Sequence, residues 1–365
     1  MDVTPKRFAL GAGEASLVVV KELLDATLKI PNFQRPYDWR VDPQVEELGQ
    51  DLRQSEAAPP LFVGLIVLAR DHDGTYVVVD GQQRLTSLLL FFAANGIPVR
   101  VPLVRHDDQE FLRRLVNDGD AFLSVAQPQT LSQRLLAEAF RALRGASAPE
   151  IDAAKTATCI AYVAPRVEGA TLLFERINMR GRKVSQFDLV KNRLIGWAGA
   201  LEPDSAHAVM QTVSQGYSEL YRLFNPSLGR GEVHPRELDA DRLLRVHWIL
   251  FATSSFKSSD RVIEMIEQER DRLPSSGTEL ANYIRRYVDS MVDVSRVWVQ
   301  IMEPGRLPDS TPQELRSALN EFVRLNRTSE LDPLLVSVLL RFGFGVDSAR
   351  FVRLCGVAAF RDALA

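Results

Sequence analysis

The sequence predicts an α+β protein, a small mixed sheet near the N-terminus followed by a mainly helical remainder. Residues 61–68 run Leu-Phe-Val-Gly-Leu-Ile-Val-Leu, almost continuously apolar, as a strand covered on both faces does. Turn residues Asp71, Asp73 and Gly74 lead to a second apolar strand over 76–79. Beyond about residue 108, apolar residues recur at helical spacing almost throughout.

The elements follow in order. Leu17, Val20, Leu23, Leu24 and Leu28 lie close to helical spacing, and Ile30-Pro31 stops the pattern because a residue before proline is driven out of the α region. One short helix over 16–29 is expected, entering an extended stretch. After the two strands, Leu85, Leu88, Leu89 and Phe92 share a helical face that Asn95-Gly96 ends. Residues 99–104 predict a further short strand, and the small-residue run 145–156 reads as a loop. Ser185 predicts a helix cap with Asp188 as its capping-box partner, and Val184 against Leu189 as the staple. Thr311-Pro312-Gln313-Glu314, Ser276 with Glu279, and Asp332 with Pro333 mark three more helix starts. Pro226, Gly229 and Gly231 make 225–234 a boundary between two halves. The expected domains are 1–108, a nucleotide-binding α/β core; 109–225, a helical extension; and 226–365, a helical C-terminal domain. The closing apolar pattern of 351–365 has no polar tail, which fits a piece of a longer architecture.

Composition bounds the function only coarsely. A net charge of -3 on 365 residues excludes a chain coated in positive charge, so any nucleic-acid contact must be local. Of the 44 basic residues 37 are arginine, a bias that codon usage explains as well as phosphate recognition does. Cys159 and Cys355 lack the spacing of a zinc site or disulfide framework, and no long apolar run or leader pattern is present. A cytoplasmic protein with no membrane partner is the expectation.

Three clusters carry chemistry. Asp80-Gly81-Gln82-Gln83-Arg84 falls where a buried strand gives way to a helix. Amides at a helix N-terminus favour an anion, Arg84 adds charge, Gly81 permits close approach, and Asp80 could hold a metal ion, a ribose hydroxyl or a water. The same residues also read as an ordinary turn, with Asp80 as cap and Arg84 as a surface ion pair. The second cluster, Ile30-Pro31-Asn32-Phe33-Gln34-Arg35-Pro36-Tyr37-Asp38-Trp39, is a proline-bounded strap whose aromatic faces and guanidinium could stack a base and grip its phosphate, or whose rings could fill core. The third is a helix pair from 173 to 193, with Arg176, Asn178, Arg180, Arg182, Lys183, Lys191 and Arg193 around its turn. That local basic excess suits a DNA backbone, or equally a solvated surface.

The order of these blocks, with Phe62–Val67 and Val78–Thr86 between strap and helix pair, resembles the N-terminal domain of GmrSD-type modification-dependent restriction enzymes. The resemblance spans roughly residues 15–195. It implies a fold similar to ParB and sulfiredoxin, in which Asp80, Gln83 and Arg84 help hydrolyse a nucleoside triphosphate held with Mg2+. Gly81, Gln82, Gln83, Arg84, Thr86, Asn178 and Lys191 would bind that nucleotide, with Asp80 as metal ligand. By similarity to Ssp-type phosphorothioate-sensing effectors, Gln34, Arg35, Tyr37 and Trp39 would read modified DNA, with Arg180, Arg182 and Lys183 on its backbone. Family members often carry a C-terminal HNH-type nuclease domain, whereas His72, His106, His207, His234 and His247 are scattered here. The expected function is a nucleotide-dependent sensor of DNA modification that gates a nuclease supplied by a partner or further domain. The alternatives are a non-catalytic, partition-like DNA adaptor and a self-sufficient metal-dependent nuclease using carboxylates such as Asp80 and Glu175.

Overall fold

The computed structural model describes residues 10–54, 60–71, 74–104, 106–167, 169–171, 173, 185–225, 238–252, 261–273, 277–325 and 330–362. Two compact units emerge: Met1–Arg182 with Asn225–Pro235, and Lys183–Phe224 with Arg236–Ala365.

The first unit is built on a five-stranded mixed sheet. Its strands are β1 (Ala15–Val19), β2 (Leu28–Lys29), β3 (Phe62–Arg70), β4 (Tyr76–Asp80) and β5 (Thr158–Ala164), in the order β1-β5-β3-β4-β2. β3 is antiparallel to β4 and parallel to β5, while β2 pairs parallel with β4 and β1 antiparallel with β5. Successive side chains of a strand point to opposite faces. Ile66, Leu68 and Val78 accordingly enter a large core with α3 (Gln82–Ala94), while Val67, Ala69, Val77 and Val79 pack on the other face with Ala164 and Ala170. Both faces are covered, which is why this sequence is continuously apolar rather than alternating. Further helices of the unit include α1 (Val20–Leu24), α2 (Glu46–Gln54), α4 (His106–Leu123), α5 (Leu131–Ala142) and α6 (Ala148–Thr156).

Four expectations for the first unit are corrected. The helix expected over 16–29 is β1, the single turn of α1 and β2, because β1 gains a ladder partner in β5 that no local pattern announces. The strand expected over 99–104 reduces to one bridge between Leu103 and Lys29. The loop expected over 145–156 contains α6, started by a capping box between Ser147 and Glu150. β5 lies in the stretch beyond residue 108 whose pattern is helical almost throughout, and sits as a strand between β1 and β3.

The second unit is helical: α7 (Gln186–Gly199), α8 (Pro203–Phe224), α9 (Ala240–Phe251), α10 (Val262–Arg272), α11 (Gly277–Met302), α12 (Gln313–Arg324), α13 (Asp332–Phe342) and α14 (Val346–Asp362). Ser185 caps α7 by accepting from the Asp188 amide, as expected, and the Asp188 carboxylate answers on the Ser185 hydroxyl. Thr311 does not cap α12, whose N-cap is Pro312 with no side-chain bond. Asp332 instead takes two bonds from Arg242 and one from Trp298 while fully buried, a network that ties α9, α11 and α13 together. Among the described residues no helix is long and apolar enough to cross a membrane.

Candidate nucleotide corner and recognition strap

The corner between β4 and α3 is set by Gly81, the N-cap of α3, at φ 88°. A Cβ there would collide with Ile66 Cδ1, so the left-handed turn and the close packing of strand on strand both require glycine. No side chain caps α3, so its first turn keeps its outward amides and the positive end of its dipole. Asp80 lies at this edge, half-buried. Its Oδ1 accepts the Gly81 amide at 2.7 Å, and its Oδ2 stands 3.9 Å from Arg84 Nη2. Burial raises the Asp80 carboxyl above the usual range, against the lowering pull of Arg84 and the Gly81 amide.

Arg84 is turned along the sheet. Its Nη1 donates to Val63 O at 2.6 Å and its Nη2 to Leu65 O at 3.0 Å. These carbonyls flank Gly64, where the β3–β5 register shifts and φ is 95°. The guanidinium is thus occupied by main chain as well as by Asp80.

The three glutamines clasp the strap. Gln34 Nε2 donates to Val79 O at 2.7 Å, Gln82 Nε2 to Arg35 O at 2.9 Å, and Gln83 Nε2 to Pro36 O at 3.0 Å. Gln83 Oε1 accepts from the Asp38 amide. An irregular stretch with few ladder bonds must satisfy its backbone somewhere, and this motif supplies the partners. Tyr37 is buried, its hydroxyl sharing a hydrogen bond with Ser87, and burial raises its phenol well above the usual value. Trp39 is half-buried against the same core. The strap therefore turns Asn32, Arg35, Asp38 and Arg40 outward, with Arg35 paired to Asp38 at 3.2 Å.

Between strap and α3 runs a small cleft with about 30 Å³ of water-accessible space. Thr86 and Asp108 line it, both buried, and the Ser132 hydroxyl lies 2.9 and 3.0 Å from the two Asp108 oxygens. Asp108 and Gly64 were missed in the sequence, although a glycine interrupting an apolar run is itself a bulge signal.

The expected residues divide between places. Asp80, Gly81, Gln82, Gln83, Arg84 and Thr86 meet Gln34, Arg35 and Tyr37 in the first unit. Lys191 belongs to the second, 4 % exposed, its ammonium 3.3 Å from Asp188 Oδ1 and 3.1 Å from the Tyr221 hydroxyl. Asn178, Arg180, Arg182 and Lys183, with Glu175 and Arg176, lie outside the described residues. Among the described residues no group of three His, Cys, Asp or Glu side chains is placed to hold a metal ion.

A strand-to-helix corner clasped to a proline-bounded strap, on a mixed sheet, defines a compact α/β module. Residues 20–195 match the family described as GmrSD restriction endonuclease, N-terminal domain. The similarity is to this restriction-endonuclease domain and covers just under half of the chain. No curated protein matches the chain.

Proposed function

We propose that the chain is a nucleoside-triphosphate-dependent sensor of DNA modification, which gates cleavage by a nuclease in a partner or a further domain. The observation that carries this reading is the uncapped N-terminus of α3 opening beside the Asp80 carboxylate, with Gly81 bringing main chain close. The residues fit a triphosphate with Mg2+: amides of the first turn suit phosphate oxygens, and Asp80 offers a carboxylate to the metal. A bound Mg2+ would neutralise charge developing on the phosphates and would favour ionised Asp80 against the burial that now opposes it. The strap is joined to the corner by Gln34, Gln82 and Gln83, so a change at either end reaches the other through three side chains.

Commitment of Arg84 to Val63 and Leu65 favours a second reading, an adaptor that binds nucleotide or DNA phosphate without turnover. Phosphate release from the purified chain, with modified and unmodified DNA and with none, separates the two. DNA-stimulated release supports the sensor, and nucleotide binding without release supports the adaptor.

A further inference from the structure

β1 forms one edge of the sheet in the first unit and β2 the other. In an antiparallel pair the peptide groups of successive residues point alternately toward the neighbouring strand and away from it. Val163 N donates to Glu14 O and Val20 N to Ala157 O, so the even-numbered residues of 14–20 turn their main chain to β5. Ala15, Leu17 and Val19 therefore carry their N–H and C=O groups outward, and among the described residues no main-chain group answers them. The Ser16 hydroxyl reaches Leu17 O only at 3.4 Å. Exposed edges are commonly blunted by lysine, proline or another charge, and Ala15–Val19 contains none of these. The β2 edge is only two residues long and is bridged to Leu103.

Side chains add to this edge. Leu17 pairs in register with Ile160, and Ile160 with Leu65, while Phe62 shares the face through its partner Thr158. Toward β1 the cover on this face runs out: Leu17 is 64 % exposed, Phe62 52 % and Ile160 40 %. An apolar patch beside a row of open main-chain groups suits another strand. The β1 sequence says which strand. Two copies placed antiparallel about a two-fold axis through Leu17 set residue 15 opposite 19, 16 opposite 18 and 17 opposite itself. Every outward N–H then meets an outward C=O, Leu17 meets Leu17, each small Ala15 meets a larger Val19, and the two apolar patches join. Charge selects the same direction. Antiparallel pairing brings Glu14 near the second copy's Lys21, itself bonded to Asp25, whereas parallel pairing puts Glu14 on Glu14 and Lys21 on Lys21. We propose that β1 is a homodimer interface, at which two copies of this chain join their sheets edge to edge through Ala15–Val19. It stands apart from the nucleotide reading, because no residue of the Asp80–Arg84 corner takes part.

Sedimentation velocity of the full chain over a range of concentrations tests it, with variants at Leu17. Leu17→Lys sets two ammonium groups face to face at the centre of the interface. Leu17→Pro deletes the central amides without removing a bond to β5, since an edge position whose N–H points outward tolerates proline. Wild type should dimerise, and each variant should weaken the dimer about tenfold or more while remaining folded by circular dichroism. Should either variant fail to fold, cysteine pairing decides. On the two-fold axis residue 17 faces itself at a Cα separation of about 5.5 Å, inside the disulfide range. Leu17→Cys should therefore oxidise to a covalent dimer, while Val125→Cys, more exposed at 71 %, should not. Both native cysteines are buried. A monomer at every concentration overturns the proposal, as does a dimer that both folded Leu17 variants leave intact, or Val125→Cys crosslinking as fast as Leu17→Cys.

Discussion

Gly64 and Arg84 occupy one space: a Cβ on Gly64 would collide with Arg84 Nη1, the atom that donates to the neighbouring Val63 carbonyl. The last residue of the Asp80–Arg84 motif thus locks the bulge of a strand about twenty positions earlier. Gly64→Ala must displace the guanidinium and hold alanine at φ 95°, two separate costs. A loss of about 2–4 kcal/mol in chemical denaturation is expected, and Arg84→Lys, which cannot reach two carbonyls in a fork, should lose about 1–3 kcal/mol. Wild-type stability for Gly64→Ala would show that the strand can reshape freely.

Asp80 gives a pH signature. Burial is the largest influence on its carboxyl and raises it, so the folded state holds the proton more firmly than the unfolded chain does. Stability therefore falls as pH rises from the ordinary aspartate range through the raised folded value, and stays lower above it. Asp80→Asn, whose side-chain oxygen can still accept the Gly81 amide, should be more stable than wild type at pH 7. That advantage should shrink on acidification, as urea titrations between pH 3 and 8 would read. An advantage that grew in acid would mean that Arg84, not burial, governs the carboxyl.

The helical unit has the opposite dependence. His247 is fully buried with Nε2 2.6 Å from the Ser290 hydroxyl, and burial lowers its pKa to about 3. Between that value and the ordinary histidine range the unfolded chain binds a proton that the folded chain refuses, so stability rises with pH across this window. Acidification from pH 7 to 3 should cost wild type on the order of 4 kcal/mol at this group. His247→Gln should escape that loss, whatever its stability at pH 7. Parallel pH curves for the two proteins would refute the assignment.

Gln34 ties the strap to the end of β4 through Val79 O. Under the sensor reading, Gln34→Ala leaves basal triphosphate hydrolysis nearly intact and removes the difference between modified and plain DNA. Asp80→Ala removes hydrolysis while DNA binding survives, and coupling between the two ligands must be reciprocal. A Gln34→Ala protein that still responds to modified DNA would place recognition elsewhere.

Much of the corner was legible because its signals are local. The apolar run of β3, the turn at 71–74, the apolar face of α3 and the glycine between strand and helix all lie within about thirty residues of one another. Ser185 and Asp188 announced the start of α7 by the same local chemistry. What stayed hidden depends on partners far along the chain. Nothing near Ala15–Val19 says strand rather than helix until β5 pairs with it, and nothing in Gln82 or Gln83 says that their amides fasten Arg35 and Pro36. The burial of Tyr37 against Ser87 depends on how the strap folds back, which no local signal announces.

The place of β5 between β1 and β3 also sets an order of events at the ribosome. Until residues 158–164 have emerged, β1 has no strand to pair with, and β3 shows an unpaired, largely apolar edge. Such an edge invites pairing with another chain. Closing it requires a contact about ninety residues long in sequence, a slow kind of closure during which the nascent chain is exposed. A polypeptide cut near residue 108 would keep the whole Asp80–Arg84 motif and still lack a sheet able to stand alone. The smallest expressible form of the corner thus runs at least to Ala164.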